Sequence, residues 1–232
     1  MKQFPKISFV IPLMISTVII IFCYSAFSAN NKSKENLPKI ILLVNDPAVE
    51  LKVSMRKLWE DHVAWTRNVI LCLVDELPGK DQAIKRLLQN QIDIGTTFKP
   101  YYGEAMGNKL TQLLCTHINT SVEVVKAAKV GNAIALDEAN KKWYENADQI
   151  SEFLCKENPN WIITDMKIMM NVHLKLTTDE VTQRIKRNYD GDVIAYDKIR
   201  KEILAMADMF TMGITKQFPE KFETDIAKGM TK

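Results

Sequence analysis

Three histidines are all that this chain of 232 residues carries, and each opens one short pattern with Ser or Thr four residues on. They are His62-Val-Ala-Trp-Thr66, His117-Ile-Asn-Thr-Ser121 and His173-Leu-Lys-Leu-Thr177, spaced by 55 and 56 residues. Imidazole is the side chain that ligates zinc, copper and iron and that changes charge near neutral pH. A buried neutral imidazole also serves as a plain hydrogen-bonding group that fixes register in a core. Both uses stand open at these three positions.

After each histidine comes a glycine at a turn signal (Gly79, Gly131, Gly191), then an aspartate (Asp93, Asp148, Asp208), then a proline (Pro100, Pro159, Pro219). That order, met three times, reads as three diverged helical hairpins. At 100° per residue His62 falls in the stripe of Leu51, Met55, Leu58, Trp65, Val69 and Leu73. His117 joins Leu110, Leu113, Leu114, Ser121 and Val124, and His173 joins Ile162, Met166, Met169 and Leu176. All three histidines are therefore expected to face the core. On the return helices, counted from the turn glycines, Gln91, Asn146 and Met206 take one core position. Axial heights agree within roughly 8 Å at about 1.5 Å per residue. The candidate metal-binding layer is thus His62, His117, His173, Gln91 and Asn146, with Met206 nearby. The three aspartates lie about 140° away and are expected to face solvent or a second layer.

The type of site narrows by what the sequence omits. Di-iron carboxylate bundles need an inward Glu-x-x-His, and none occurs; no carboxylate is expected on the histidine stripe. There is no His-Glu-x-x-His, Cys-x-x-Cys, Cys-x-x-Cys-His, P-loop or Gly-x-Gly-x-x-Gly. A transition metal or a b-type haem carries no such mark and stays open. Met166, Met169 and Met170 beside His173, with Met206, Met209 and Met212 on the partner helix, would suit Cu(I). The same methionines also suit plain core filling. Asp190-Gly-Asp192 reads as turn chemistry. Cys115 and His117 point to different helix faces, which argues against a dyad within that helix and leaves Ser–His or Cys–His chemistry between helices open.

The expected elements are these. A first helix starts at the Asp46-Pro47 cap signal and runs to about Leu77. A second ends near Phe98, before Pro100-Tyr-Tyr-Gly103. The second hairpin spans Glu104–Val130, a turn at Gly131-Asn132, and a helix to about Cys155. The third begins at Trp161, with a break expected at the capping-box signal Thr177-Thr-Asp-Glu180, and its last helix ends before Phe218-Pro219. The fold class is all-α: about six main helices in three hairpins over residues 45–222, with a frayed tail at 223–232.

Ahead of the bundle lie Lys2 and Lys6 and an uncharged stretch, Ile7–Ala29. Two readings stand: a signal peptide cleaved after Ser28, or a retained membrane anchor, with residues 29–44 a tether. Both put the bundle outside the cytoplasm, secreted or tethered to the membrane through that segment. Without residues 1–28 the chain has 29 basic and 28 acidic side chains, a net of +1. With no dense basic cluster, nucleic acid is not an expected partner. Cys72, Cys115 and Cys155 sit in helical patterns and read as small buried residues rather than a disulfide framework.

The stretches LWEDHVAWTR (58–67), KPYYGEAMGNKLTQLL (99–114), KKWYENADQI (141–150), NPNW (158–161), MADMF (206–210) and KQFPEKF (216–222) resemble a family of small, uncharacterised all-helical bacterial proteins. The resemblance implies a bacterial source and a helical domain and brings no established activity. The expected function is that of an extracytoplasmic binding protein with a buried His-centred polar site for a metal or small ligand. The rivals are a structural or protein-interaction module without ligand, and an enzyme with an unrecognised site in the bundle core.

Overall fold

A computed structural model describes residues 46–223. The N-terminal leader, the tether and most of the tail fall outside them. The described chain is an all-helical bundle of five helices: α1 (Pro47–Val74), α2 (Lys80–Val130), α3 (Ala133–Glu157), α4 (Ile163–Ile185) and α5 (Tyr189–Gln217), closed by a 3₁₀ turn at Pro219–Lys221. No described helix is long and apolar enough to cross a membrane.

Local chemistry sets the boundaries. Asp46 caps α1 by accepting hydrogen bonds from the N–H groups of Ala48 (2.8 Å) and Val49, with Pro47 in the first turn where its missing N–H costs nothing. Gly131 ends α2 in the left-handed region at φ 69°, and Asn132 then caps α3 through Ala135 N–H. Asn188 caps α5 through Gly191 N–H.

The expected break near Pro100 takes the form of a sharp corner inside α2. Gly103 has φ 84° and ψ 170°, a conformation essentially reserved for glycine. A Cβ added at Gly95 would lie 2.7 Å from the carbonyl oxygen of Gly107. In a straight helix those twelve residues would span about 18 Å. The chain therefore folds back at Gly103, and the bare faces of Gly95 and Gly107 let the two arms touch.

The break expected at Thr177–Glu180 is absent; α4 runs unbroken to Ile185. Thr177 and Thr178 donate their hydroxyls back to the carbonyls of His173 and Leu174, the helix-compatible alternative to capping. Glu180 does not turn back to cap a helix start, because Arg67 of α1 takes it (2.6 Å). The third arm also starts later than expected, at Ile163, with Trp161 buried in the connection.

The core is one large apolar cluster, in which Trp59, Phe98, Trp143, Trp161 and Phe210 interlock with Leu, Ile and Met side chains. A smaller one joins Val69, Ile70, Leu87, Ile118 and Val181. At roughly 1.5–3 kcal/mol per fully buried large apolar side chain, these clusters hold the helices at fixed rotation and height. That fixes where the buried polar groups point. Asp148 is exposed, and Asp93 and Asp208 are half-buried beside Arg86 and Arg56, as the phase arithmetic expected.

Candidate functional site

All three histidines are in the core, each with 4–5% of its surface exposed. Each meets one polar side chain on the next helical arm, and each such pair is 29 residues apart. His117 Nδ1 lies 2.9 Å from Asn146 Oδ1, and its Nε2 accepts from Trp143 Nε1–H at 3.0 Å. An indole can only donate, so the His117 proton sits on Nδ1 and is given to Asn146. Both nitrogens of that ring are spent. His62 Nδ1 lies 3.3 Å from Gln91 Nε2, whose two hydrogens go to the Leu87 carbonyl (2.8 Å) and to Asn90 Oδ1 (3.0 Å). Asn90 is itself held to the Leu58 carbonyl, which orients this amide pair. His173 Nδ1 lies 3.1 Å from Glu202 Oε2. A carboxylate only accepts, so that proton also sits on Nδ1. No protein hydrogen bond among the described residues reaches Nε2 of His62 or of His173.

The third partner differs from expectation. Met206, aligned by counting from Gly191, lines the space beside the histidines, and Glu202 makes the polar contact. A carboxylate does reach the histidine layer, contrary to the sequence expectation, because it comes from the return helix. The signal was present as the constant interval of 29 residues. It was hidden because Gly191 lies within the first turn of α5, whereas Gly79 and Gly131 sit at the turns themselves.

The three rings surround one cavity of about 20 Å³, walled mainly by carbon from Trp59, Phe98, Met170, Met206 and Phe210. That holds about one water-sized species. The ring centroids of His62 and His173 lie 5.7 Å apart, with the planes tilted by 41°. A second cavity, also about 20 Å³, is bordered by Thr66, Ser121 and Thr177, the hydroxyl residues of the repeated pattern. Their hydroxyls donate to main-chain carbonyls one turn earlier.

Burial, the field of His173 and the field of His117 hold His62 well below the usual imidazole range, against a smaller opposing effect of Gln91. Burial and the His173 field lower His117 to about 3, partly opposed by its bond to Asn146. Protonating either ring puts a cation into an apolar core. Two acceptor oxygens, Gln91 Oε1 and Glu202 Oε1, are buried without a hydrogen-bond partner.

Sequence reasoning missed a second polar centre. Arg67 of α1 reaches Glu180 of α4 and both oxygens of Asp192 of α5 (2.7 and 3.0 Å), and its guanidinium lies over the Tyr196 ring. Arg184 joins Asp192 to Asp75, and Arg187 also reaches Asp75. Three arginines and three carboxylates thus tie three helices together. Burial raises Glu180 to about 7, against the pull of Arg67. Asp192 belongs to this cluster, so its place in the Asp-Gly-Asp turn is only part of its role. Cys72, Cys115 and Cys155 are free and half-buried.

Of the expected site residues, His62, His173 and His117 share the central cavity, and Gln91 and Asn146 stand behind two of the rings. Among the described residues no three His, Cys, Asp or Glu side chains converge as a metal-holding group. Comparison with family models, with curated proteins and with solved structures finds no match.

Proposed function

We propose that this chain is an extracytoplasmic binding protein whose ligand occupies the cavity between His62 and His173. One observation carries the reading: of the three core imidazoles that border one enclosed space, two have no protein hydrogen bond at Nε2 among the described residues, while the third is bonded at both nitrogens. The cavity size limits the ligand to a single ion or a molecule about as small as water. An organic substrate has no room there, which weighs against the enzyme reading. The equal 29-residue pairs and the corner at Gly103 favour a bundle of three diverged hairpins, with α2 supplying two arms. The uncharged stretch at 7–29 favours secretion or anchoring at the membrane.

The reading is tested by purifying the full chain without a His tag or chelator, then measuring bound metals by mass spectrometry and recording an absorbance spectrum. A near-stoichiometric metal, lost in His173→Asn, is the expected result. Metal-free protein that also takes up no added metal would overturn it. A second reading, a purely structural core, is favoured by His117, whose two bonds leave nothing for a ligand.

A further inference from the structure

We infer that the occupant is a soft monovalent cation, Cu(I), held by Nε2 of His62 and His173 with the thioethers of Met170 and Met206 beside it. This rests on the reading of the cavity as a ligand site, and names the ligand's class. Glu202 comes first. Its side chain is 11% exposed, its only polar partner among the described residues is His173, and its Oε1 has none. No described lysine or arginine pairs with it. An acidic side chain standing behind Nδ1 of His173 favours a cation on the far nitrogen of that ring.

Donor type and number agree. Imidazole and thioether together select Cu(I), and both methionines border the cavity with the two rings. A structural zinc ion takes four donors of nitrogen, sulfur-anion or oxygen type, and no such set converges among the described residues. Two open imidazoles, with sulfur nearby, suit an ion content with low coordination. The span fits as well. At metal–nitrogen lengths of about 2 Å two nitrogens on one ion lie up to about 4 Å apart, with ring centres ~2 Å further. Centroids 5.7 Å apart lie within that span. Glu202 behind Nδ1 of His173 is the carboxylate–histidine arrangement that fixes the tautomer and raises the basicity of a ligating nitrogen.

His62 must carry its proton on Nδ1 to ligate through Nε2. Its Nδ1 lies 3.3 Å from Gln91 Nε2, whose two hydrogens go to the Leu87 carbonyl and to Asn90 Oδ1. The unpartnered Oε1 of Gln91 is the acceptor that an amide rotation would bring to Nδ1. The bonds from Gln91 to Leu87 and Asn90 oppose that rotation, so Gln91 sets how tightly the site closes.

The test uses the full chain in detergent, without oxygen, with ¹⁵N-labelled histidine. Cu(I) is titrated against a chromophoric Cu(I) chelator while the imidazole nitrogens are followed by NMR. One equivalent is expected to shift Nε2 of His62 and His173 and to leave His117 in place. Glu202→Gln should weaken binding by roughly 10–100-fold, the range seen when such supporting groups are removed. Met206→Leu, which keeps the core volume, should also weaken it and guards against misreading a variant that fails to fold. Cu(I) bound with both imidazoles unmoved, as by the cysteines, would overturn the inference. If Zn(II) rather than Cu(I) moves them, the cavity reading stands and the soft-cation assignment falls. If neither ion moves them, the assignment falls. The cavity reading falls with it only if the purified protein also carries no metal.

Discussion

His117 makes acid the sharpest probe of this core. In the unfolded chain its imidazole takes a proton near pH 6.5, the usual value. In the folded protein it does so at about 3, chiefly because burial penalises the cation. Between pH 7 and 5 the unfolded state therefore binds a proton that the folded state refuses. Stability tied to this group is full above 6.5 and drains as pH falls below it. At 1.36 kcal/mol per pKa unit, the step from pH 7 to 5 removes about 2 kcal/mol through His117 alone. His62, also lowered by burial, acts in the same direction. Glu180 acts oppositely. Its carboxyl, raised to about 7, takes a proton in the folded state first, and over the same step it returns about 2 kcal/mol. The perturbation is His117→Gln and the assay is urea unfolding followed by circular dichroism at both pH values. The variant is expected to be less stable than wild type at pH 7, and to lose about 2 kcal/mol less than wild type on going to pH 5. Glu180 contributes equally to both proteins and cancels in that difference. A variant whose pH 7-to-5 loss equals that of wild type would refute the reasoning, because His117 would then not be a neutral, proton-excluding group. Glu180→Gln supplies the control of opposite sign: its loss over the same step should exceed that of wild type.

Further outcomes follow from single contacts. Trp143→Phe keeps an aromatic ring but opens a void and leaves His117 Nε2 buried without a donor; the lost hydrogen bond alone should cost about 1–3 kcal/mol in urea unfolding, with the void adding to it. Gly103→Ala meets no neighbouring atom, so its expected loss of about 1–3 kcal/mol is backbone strain at φ 84°; a thermal melt unchanged by the substitution would contradict the corner. Arg67→Met strands two nearly fully buried carboxylates, and about 3–5 kcal/mol should be lost by the same measurement. Lowering the pH toward 5 should shrink that loss as Glu180 takes up its proton.

Much of the bundle is legible in the sequence. Hydrophobic period placed the three histidines inward because helical phase is a local property, set by 3.6 residues per turn. Caps such as Asp46-Pro47 and Asn132 marked helix starts because they act within three residues of themselves. The recurrence near 55 residues put His62, His117 and His173 at comparable heights, and the same periodicity placed Gln91 and Asn146 opposite two of them.

What the sequence alone did not decide was where one helix meets another. Thr177-Thr-Asp-Glu180 carries the local signal of a helix start. That signal yields because Arg67, 113 residues away, holds Glu180 in an ion pair. Met206 looked equivalent to Gln91 until the axial offset of α5 against α4 brought Glu202 to His173 instead. A displacement of four residues, one helical turn, exchanges a thioether for a carboxylate without disturbing the apolar stripe. Which imidazole nitrogens are free depends on that register and on the rotation of each helix about its axis. Both are set by the packing of the whole core. Local sequence determined that the histidines are buried; only the tertiary structure decided that His117 is closed and that His62 and His173 are open.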